Sequence, residues 1–159
     1  MPPLHPAFVH FPIALMTFSF ITDLLGRLFN KRTLSNAGFW CLIGAILIGA
    51  ITVLTGLWDF RHAALGETAR YADFHQDVGF ILAGSLAVLA LLRWLVYARR
   101  DRTPGIIYLF LALIVTCLTL FQGWYGGAMV YSQGAGVSAA GKGTEPANVG
   151  KQQLDKITK

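Results

Sequence analysis

The sequence predicts an all-α fold, an integral membrane bundle of four helices. Three observations predict it. Only 13% of the 159 residues are charged and 55% are hydrophobic, whereas soluble domains carry about 25% charged residues. The apolar residues are concentrated in four runs, each about as long as the roughly 20 residues that cross a bilayer. Short polar connections favour antiparallel neighbours in an up-down bundle.

The first two spans are predicted at residues 8–29 and 37–58. The first follows the stretch HPAFVHFP, in which Pro12 either bends the helix beside His10 or marks its start. Polar and basic residues after the span end it. The second span contains GAILIGAI, whose small residues favour close helix packing. It is followed by a predicted loop at 59–76, which is too polar for hydrocarbon.

The third and fourth spans are predicted at residues 78–96 and 106–129, separated by the charged stretch ARRDRTPG. Residues 1–131 therefore form the predicted bundle. The remaining residues are rich in Gly, Ala and Lys and have no periodicity. They are predicted to be a flexible periplasmic tail, residues 132–159.

Basic residues predict the orientation of the bundle. They cluster after the first span and around the end of the third, at Arg27, Lys31, Arg32, Arg93, Arg99, Arg100 and Arg102. Such clusters stay on the cytoplasmic side, so both termini are expected on the outer, periplasmic side. Orientation thus accounts for the net charge of +5. No nucleic-acid partner is expected, because the basic residues are not interleaved with exposed aromatic residues.

The two cysteines exclude two kinds of site. Cys41 and Cys117 lie within apolar runs, and the chain contains no CxxC or CxxCH motif. A covalently attached c-type haem and a thiolate metal site are therefore not expected. We interpret both cysteines as buried small hydrophobic residues.

The four histidines are predicted to share one face of the membrane. His5 and His10 lie at the start of the first span, His62 follows the second and His75 precedes the third. His10 has apolar neighbours and needs a partner. The first and third spans are diagonal in a sequential bundle, so His10 and His75 are expected to face each other through its interior. Opposed imidazoles of this kind are the axial ligands of a six-coordinate haem b.

Other residues at this level complete the predicted haem pocket. Arg61 and Arg70 are expected to pair with the haem propionates. Gly126 and Gly127 leave room for the porphyrin or for a neighbouring helix. His5 is either an alternate ligand or a group that orients an axial imidazole.

Larger side chains near the same level have two interpretations each. Trp58, Trp124 and Tyr125 either cover the ring or belong to an interfacial aromatic belt. Met129 offers a thioether as an alternative axial ligand.

A bare metal ion is the chemical alternative to haem. His5, His10, His75 and Asp59 would supply nitrogen and oxygen ligands suited to Zn or Cu, and His62 can replace one of them. The chain has no HExxH motif and no pair of histidines at i and i+4, so haem is preferred over a bare metal ion. A structural site without a ligand is the third alternative.

Asp23 is an acidic residue near the end of the first span. It is either a proton-relay carboxylate or one half of an ion pair with Arg27, four residues on. The ion pair is the favoured interpretation, because charges at i and i+4 are neighbours on a helix surface.

The chain resembles a bacterial membrane family, the domain of unknown function 2231. The resemblance is carried by HPAFVHFPIALM at 5–16, TGLWDF at 55–60, His75, and GWYGGAMVYSQGAGV at 123–137. It implies four transmembrane helices, a bacterial inner (cytoplasmic) membrane location, and an association with c-type cytochrome modules. The family's histidines correspond to His5, His10 and His75. Where the last motif usually has histidine, this chain has Gln133.

Together these observations predict a membrane-bound b-type haem protein of the respiratory chain. One haem near the periplasmic face is expected to relay electrons between a quinol pool or membrane dehydrogenase and a periplasmic cytochrome c. An electron-transfer subunit is favoured over a stand-alone enzyme. The alternatives are a non-catalytic accessory or anchor subunit of a larger membrane respiratory complex, and a protein that binds Zn or Cu.

Overall fold

A computed structural model describes residues 4–62, 69–98 and 103–133. Five helices follow one another in this part of the chain: α1 His5–Phe8, α2 His10–Leu28, α3 Arg32–His62, α4 Ala69–Ala98 and α5 Ile106–Gln133. Helical backbone angles continue through Val9, between α1 and α2. We therefore treat α1 and α2 as span 1, and α3, α4 and α5 as spans 2, 3 and 4. Each is long and apolar enough to cross a membrane.

The predicted all-α fold with four membrane spans is confirmed. The helices extend beyond the apolar runs. α3 continues to His62 and α4 already begins at Ala69, so both ends of the predicted loop at 59–76 are helical. A helix can continue past its apolar run because its hydrogen bonds join backbone groups, which polar residues supply equally well. Residues 63–68 and 134–159, which include most of the predicted tail, lie outside the described residues.

A tight turn joins span 1 to span 2. Asn30 has a positive φ of 51°, a conformation that asparagine tolerates better than most residues. The amide of Lys31 donates to the carbonyl of Gly26 at 2.8 Å, which closes the helix end in the manner of a Schellman motif. Spans 1 and 2 consequently pack side by side as an antiparallel pair.

Glycines let spans 1 and 2 approach closely. Along span 2, a β-carbon at Gly44 would lie 3.3 Å from the side chain of Leu15, and one at Gly49 would lie 3.9 Å from Pro12. The predicted packing role of these small residues therefore fits the structure. Gly84 on span 3 is different, because a β-carbon there would meet no atom within 4 Å.

The four spans form a ring in chain order, so that span 1 contacts spans 2 and 4, and span 3 contacts the same two. Spans 1 and 3 are therefore diagonal, as predicted. The middle of the ring is filled by aliphatic and other apolar side chains, among them Met16, Leu42, Ala45, Leu82, Leu86, Leu89, Leu109, Ala112 and Val115.

The outer surface of the ring is apolar as well. Large exposed hydrophobic side chains occur on every span, for example Phe18, Leu47, Ile81 and Phe110. A soluble protein rarely exposes so much contiguous apolar surface, and here it faces lipid. Cys117 belongs to this surface and Cys41 is half-buried, so the interpretation of both as buried residues is wrong for Cys117. A cysteine meets lipid without penalty because its side chain is nearly apolar.

Candidate functional site

All four spans contribute to one polar group at the histidine end of the bundle. We call it the histidine layer: His5 of span 1, Thr52, Gly56 and Asp59 of span 2, His75 of span 3, and Gln122, Tyr125 and Gly126 of span 4. The rings of His5 and His75 meet edge to face across the diagonal, with 5.9 Å between their centroids. Two imidazoles from opposite helices are thus in contact inside the bundle.

Two hydrogen bonds hold His5 in place. Its ring nitrogen Nδ1 donates to the carbonyl oxygen of Thr52 at 2.9 Å. Because a carbonyl only accepts, Nδ1 carries the proton, and Nε2 is the ring nitrogen left for another partner. The backbone amide of His5 donates to Asp59 Oδ2 at 2.7 Å. Asp59 therefore anchors the first turn of span 1, where amides have no partner within the helix.

His75 is fixed by its backbone and by ring stacking. The amide group of Gln122 donates from Nε2 to the carbonyl of His75 at 2.7 Å. Tyr125 stacks on the imidazole, with 6.1 Å between centroids and 11° between planes. Within the described part of the chain, the buried atoms His75 Nδ1 and Gln122 Oε1 have no hydrogen-bond partner. Unpaired polar atoms are costly in a bundle interior, so this side of the layer has capacity for a further polar contact.

Glycines on spans 2 and 4 make room for the two imidazoles. A β-carbon at Gly56 would lie 2.9 Å from His5 Nδ1, and one at Gly126 would lie 3.0 Å from His75 Cε1. Both positions therefore require glycine in order to admit the rings. A β-carbon at Gly127 would meet no atom within 4 Å, so only the first of the two adjacent glycines predicted for the pocket contacts the layer.

His10 does not belong to this layer. It is exposed, and its Nδ1 donates to the carbonyl of Pro6 at 3.2 Å on the same helix. The expected contact between His10 and His75 is therefore replaced by one between His5 and His75. The reason is helix geometry: five residues correspond to a rotation of about 140°, so His5 and His10 cannot both face inward. The buried side of α2 carries Pro12, Met16, Ser19, Asp23 and Gly26.

The other predicted pocket residues lie at the same end but make different contacts. Arg61 is exposed, and exposed Arg70 lies over the ring of Tyr71 at 5.6 Å. Exposed His62 donates from Nδ1 to the carbonyl of Trp58 at 2.7 Å. Trp124, another of the aromatic residues predicted to cover the ring, is exposed and lies beside Phe121. Of the three aromatic residues predicted to cover a ring, only Tyr125 contacts a central imidazole.

Asp23 lies five turns from His5 along span 1 and has a different partner from the predicted one. Its carboxylate accepts two hydrogen bonds from Arg93 of span 3, from Nε at 3.0 Å and from Nη2 at 2.9 Å. Arg27 instead donates to the carbonyl of Pro104 at 3.0 Å. The expected pairing of Asp23 with Arg27 is wrong because Asp23 faces the interior, with 0% of its surface exposed, whereas Arg27 is exposed.

Ser35 and Tyr108 lie beside this pair, and we call the four residues the charged layer: Asp23, Ser35, Arg93 and Tyr108. Ser35 Oγ donates to Asp23 Oδ1 at 3.2 Å, and the Arg93 guanidinium lies 5.8 Å from the centre of the Tyr108 ring. Within the described residues the buried Tyr108 hydroxyl has no hydrogen-bond partner. Arg93 is 1% exposed and therefore does not act as the free interfacial charge that the orientation argument assumed. Arg99, Arg100 and Arg102 lie outside the described residues. A signal for the pair was present in the sequence, because an Asp and an Arg inside separate apolar runs each need a partner.

The side chains of the histidine layer suit some of the predicted ligands better than others. His5 and His75 would supply two imidazole nitrogen donors from opposite spans, with 5.9 Å between ring centroids and 85° between ring planes. Among the described residues, no group of three or more His, Cys, Asp or Glu side chains is placed to hold a metal ion. Two nitrogen ligands suit a haem, whose porphyrin supplies four more, better than a bare Zn or Cu ion.

Comparison with known proteins supports the membrane assignment. A family described as "predicted membrane protein (DUF2231)" matches residues 1–139. The chain belongs to this family. DUF2231 covers the four spans and both polar layers, and it confirms the resemblance carried by the sequence motifs. No curated protein and no solved structure matches the chain.

Proposed function

We propose that this DUF2231 protein is an electron-transfer protein of the bacterial inner membrane that holds one haem b between His5 and His75. It would relay electrons between a quinol pool or membrane dehydrogenase and a periplasmic cytochrome c. The observation that carries the proposal is the contact of two imidazoles from diagonal spans inside the bundle, at 5.9 Å between centroids. A bound haem supplies one-electron redox chemistry, and the chain supplies its ligands and surroundings.

The surroundings of His5 support its role as an axial ligand. Its Nδ1 proton is bound to the carbonyl of Thr52, the arrangement that fixes a ligand imidazole and raises its basicity. His75 is the second ligand, held by Gln122 and by stacking on Tyr125. His10 is proposed to have no ligand role, because it is exposed on the lipid side of α2.

The proposed orientation places the histidine layer at the periplasmic face. Exposed Arg27 and Lys31 lie at the opposite end of the bundle, and basic residues favour the cytoplasmic side. Exposed Arg61 and Arg70 lie near the histidine end, where their guanidinium groups are available to haem propionates.

The test is a reduced minus oxidised absorption spectrum of the detergent-purified protein, with metal analysis of the same sample. Sharp reduced Soret and α bands at one haem per chain support the proposal. A featureless spectrum overturns it: a stoichiometric Zn or Cu content then indicates a metal-binding protein, and the absence of both indicates an accessory subunit.

Three matched variants assign the ligands. His5→Ala and His75→Ala are expected to lose low-spin haem, whereas His10→Ala is expected to keep it with unchanged spectra. Size-exclusion profiles and helix content establish that each variant is folded. Loss of haem in His10→Ala together with retention in His5→Ala would contradict the ligand assignment.

A further inference from the structure

We infer that Asp23 and Arg93 are positioning residues whose ion pair sets the register of spans 1 and 3 and thereby keeps His5 opposite His75. The inference rests on the proposed function only for its consequence at the haem. The claim that the ion pair aligns the two diagonal helices depends only on the geometry of the charged layer.

The contacts in the charged layer are directional. Arg93 Nη2 donates to the carbonyl of Ser35 at 2.7 Å and to Ser35 Oγ at 3.1 Å, in addition to its bonds to Asp23. Ser35 Oγ donates to Asp23 Oδ1 at 3.2 Å. A planar guanidinium satisfies these acceptors in one orientation only. A rotation or a shift of either helix by one residue therefore breaks the set.

The spacing of residues connects this layer to the histidine layer. His5 and Asp23 are eighteen residues apart on span 1, and so are His75 and Arg93 on span 3. Eighteen residues make five complete turns, about 27 Å, so both members of each pair lie on the same face of their helix. A register fixed at Asp23 and Arg93 is therefore transmitted to the two imidazoles.

Among the described residues, no hydrogen bond joins spans 1 and 3 in the middle of the bundle, although Ser19 of span 1 donates to the carbonyl of Gly38 on span 2 at 2.8 Å. The side chains that meet there are mostly Leu, Met, Ala and Val, which pack in several arrangements with little difference in free energy. Lipid is as apolar as these side chains, so no hydrophobic penalty selects one rotation of a span over another. The polar layers therefore select a single register of spans 1 and 3.

Stability alone does not account for the ion pair. Asp23 and Arg93 are 0% and 1% exposed. Replacing a buried ion pair by apolar residues of similar volume is often neutral or stabilising. What the pair provides beyond apolar packing is a geometry that only one alignment of spans 1 and 3 satisfies.

The experiment uses the double variant D23L/R93M, in which both charges are replaced by apolar side chains. Spin labels at exposed Phe11 and Phe80 report the distance between spans 1 and 3 without reference to haem. We expect one narrow distance distribution in the parent and several distances in the double variant, while both remain folded. Thr116→Val is the control, because Thr116 donates only to Ala112 on its own helix, and it should keep the narrow distribution.

Arg93→Lys provides a second variant in case the double variant does not fold. It keeps the charge and loses the planar fork, and it is also expected to broaden the distribution. In haem-loaded protein, D23L/R93M and Arg93→Lys should each give more than one haem signal in electron paramagnetic resonance. This signal depends on the relative orientation of the two imidazole planes, so several registers give several signals. A single narrow distance in folded D23L/R93M would overturn the inference. If the protein without substitutions binds no haem, the proposed function is overturned. The spin-label distances would still show whether the ion pair sets the register of spans 1 and 3.

Discussion

Gly38 of span 2 lies directly against the carboxylate of Asp23: a β-carbon at this position would be 2.7 Å from Asp23 Cγ and 3.0 Å from the carbonyl oxygen of Ser19. The carboxylate cannot move away, because Arg93 and Ser35 hold both of its oxygens. The absence of a side chain at Gly38 is thus a condition for the charged layer.

Gly38→Ala is expected to destabilise the protein by about 1–3 kcal/mol, the usual cost of overpacking, even though alanine favours a helix by about 1 kcal/mol over glycine. Thermal unfolding in detergent measures the effect. Gly84→Ala is the matched control, because its β-carbon would meet nothing within 4 Å, and it should be neutral or slightly stabilising. Equal melting temperatures for the two variants would contradict the described packing.

Adjacent glycines on span 4 allow a similar comparison at the histidine layer. Gly126→Ala places a β-carbon 3.0 Å from His75 Cε1, whereas Gly127→Ala places one in open space. We expect Gly126→Ala to displace the imidazole and weaken the proposed haem binding, and Gly127→Ala to leave that binding unchanged. Haem content after purification measures this. The reverse order of the two variants would show that His75 does not lie against Gly126.

Asp59 is expected to control the order of the first turn. Asp59→Ala removes the acceptor for the His5 amide, a charge-assisted bond worth about 1.5–3 kcal/mol, so hydrogen exchange at residues 5–8 should accelerate. Asp59→Asn keeps an acceptor oxygen and should have a smaller effect. Asp73 is exposed near the same end of the bundle, and Asp73→Ala should leave exchange at residues 5–8 unchanged. Acceleration by Asp73→Ala would instead indicate a general effect of charge.

The orientation of the bundle is tested by fusions at the C-terminus. With both termini on the periplasmic side, an alkaline phosphatase fusion should be active and a green fluorescent protein fusion exported by the same route should be dark. If the green fluorescent protein fusion is fluorescent and the phosphatase fusion is inactive, the orientation is the opposite one. The histidine layer then lies at the cytoplasmic face.

The fold could be predicted from the sequence because each span is an apolar run long enough to cross a bilayer. The location of His75 at the histidine end of span 3 followed from the same pattern, although the helix begins six residues earlier, at Ala69. The diagonal relation of spans 1 and 3 followed from chain order alone. These features depend on local composition and on short connections, both of which are visible in one sequence.

The choice of partners could not be predicted as easily. Whether His5 lies in the helix depends on where the helix begins, and Pro12 left two possible starts. The helix already includes His5, which shares the buried face of Asp23, so His10 faces outward. Likewise, the pairing of Asp23 with Arg93, and not with the nearer Arg27, depends on which face of span 1 is buried. The repeat of eighteen residues in spans 1 and 3 is the pattern that would have indicated both pairs.

An aliphatic belt, formed by the apolar side chains in the middle of the ring, lies between the two polar layers. Its buried hydroxyl groups are committed to backbone carbonyls: Ser19 donates to Gly38, Thr116 to Ala112 and Thr119 to Val115. Such a belt has a low dielectric constant, so most of a transmembrane voltage would fall across it. The haem proposed at the histidine layer would then exchange charge with one membrane surface only, and its potential would be nearly independent of the voltage across the bilayer.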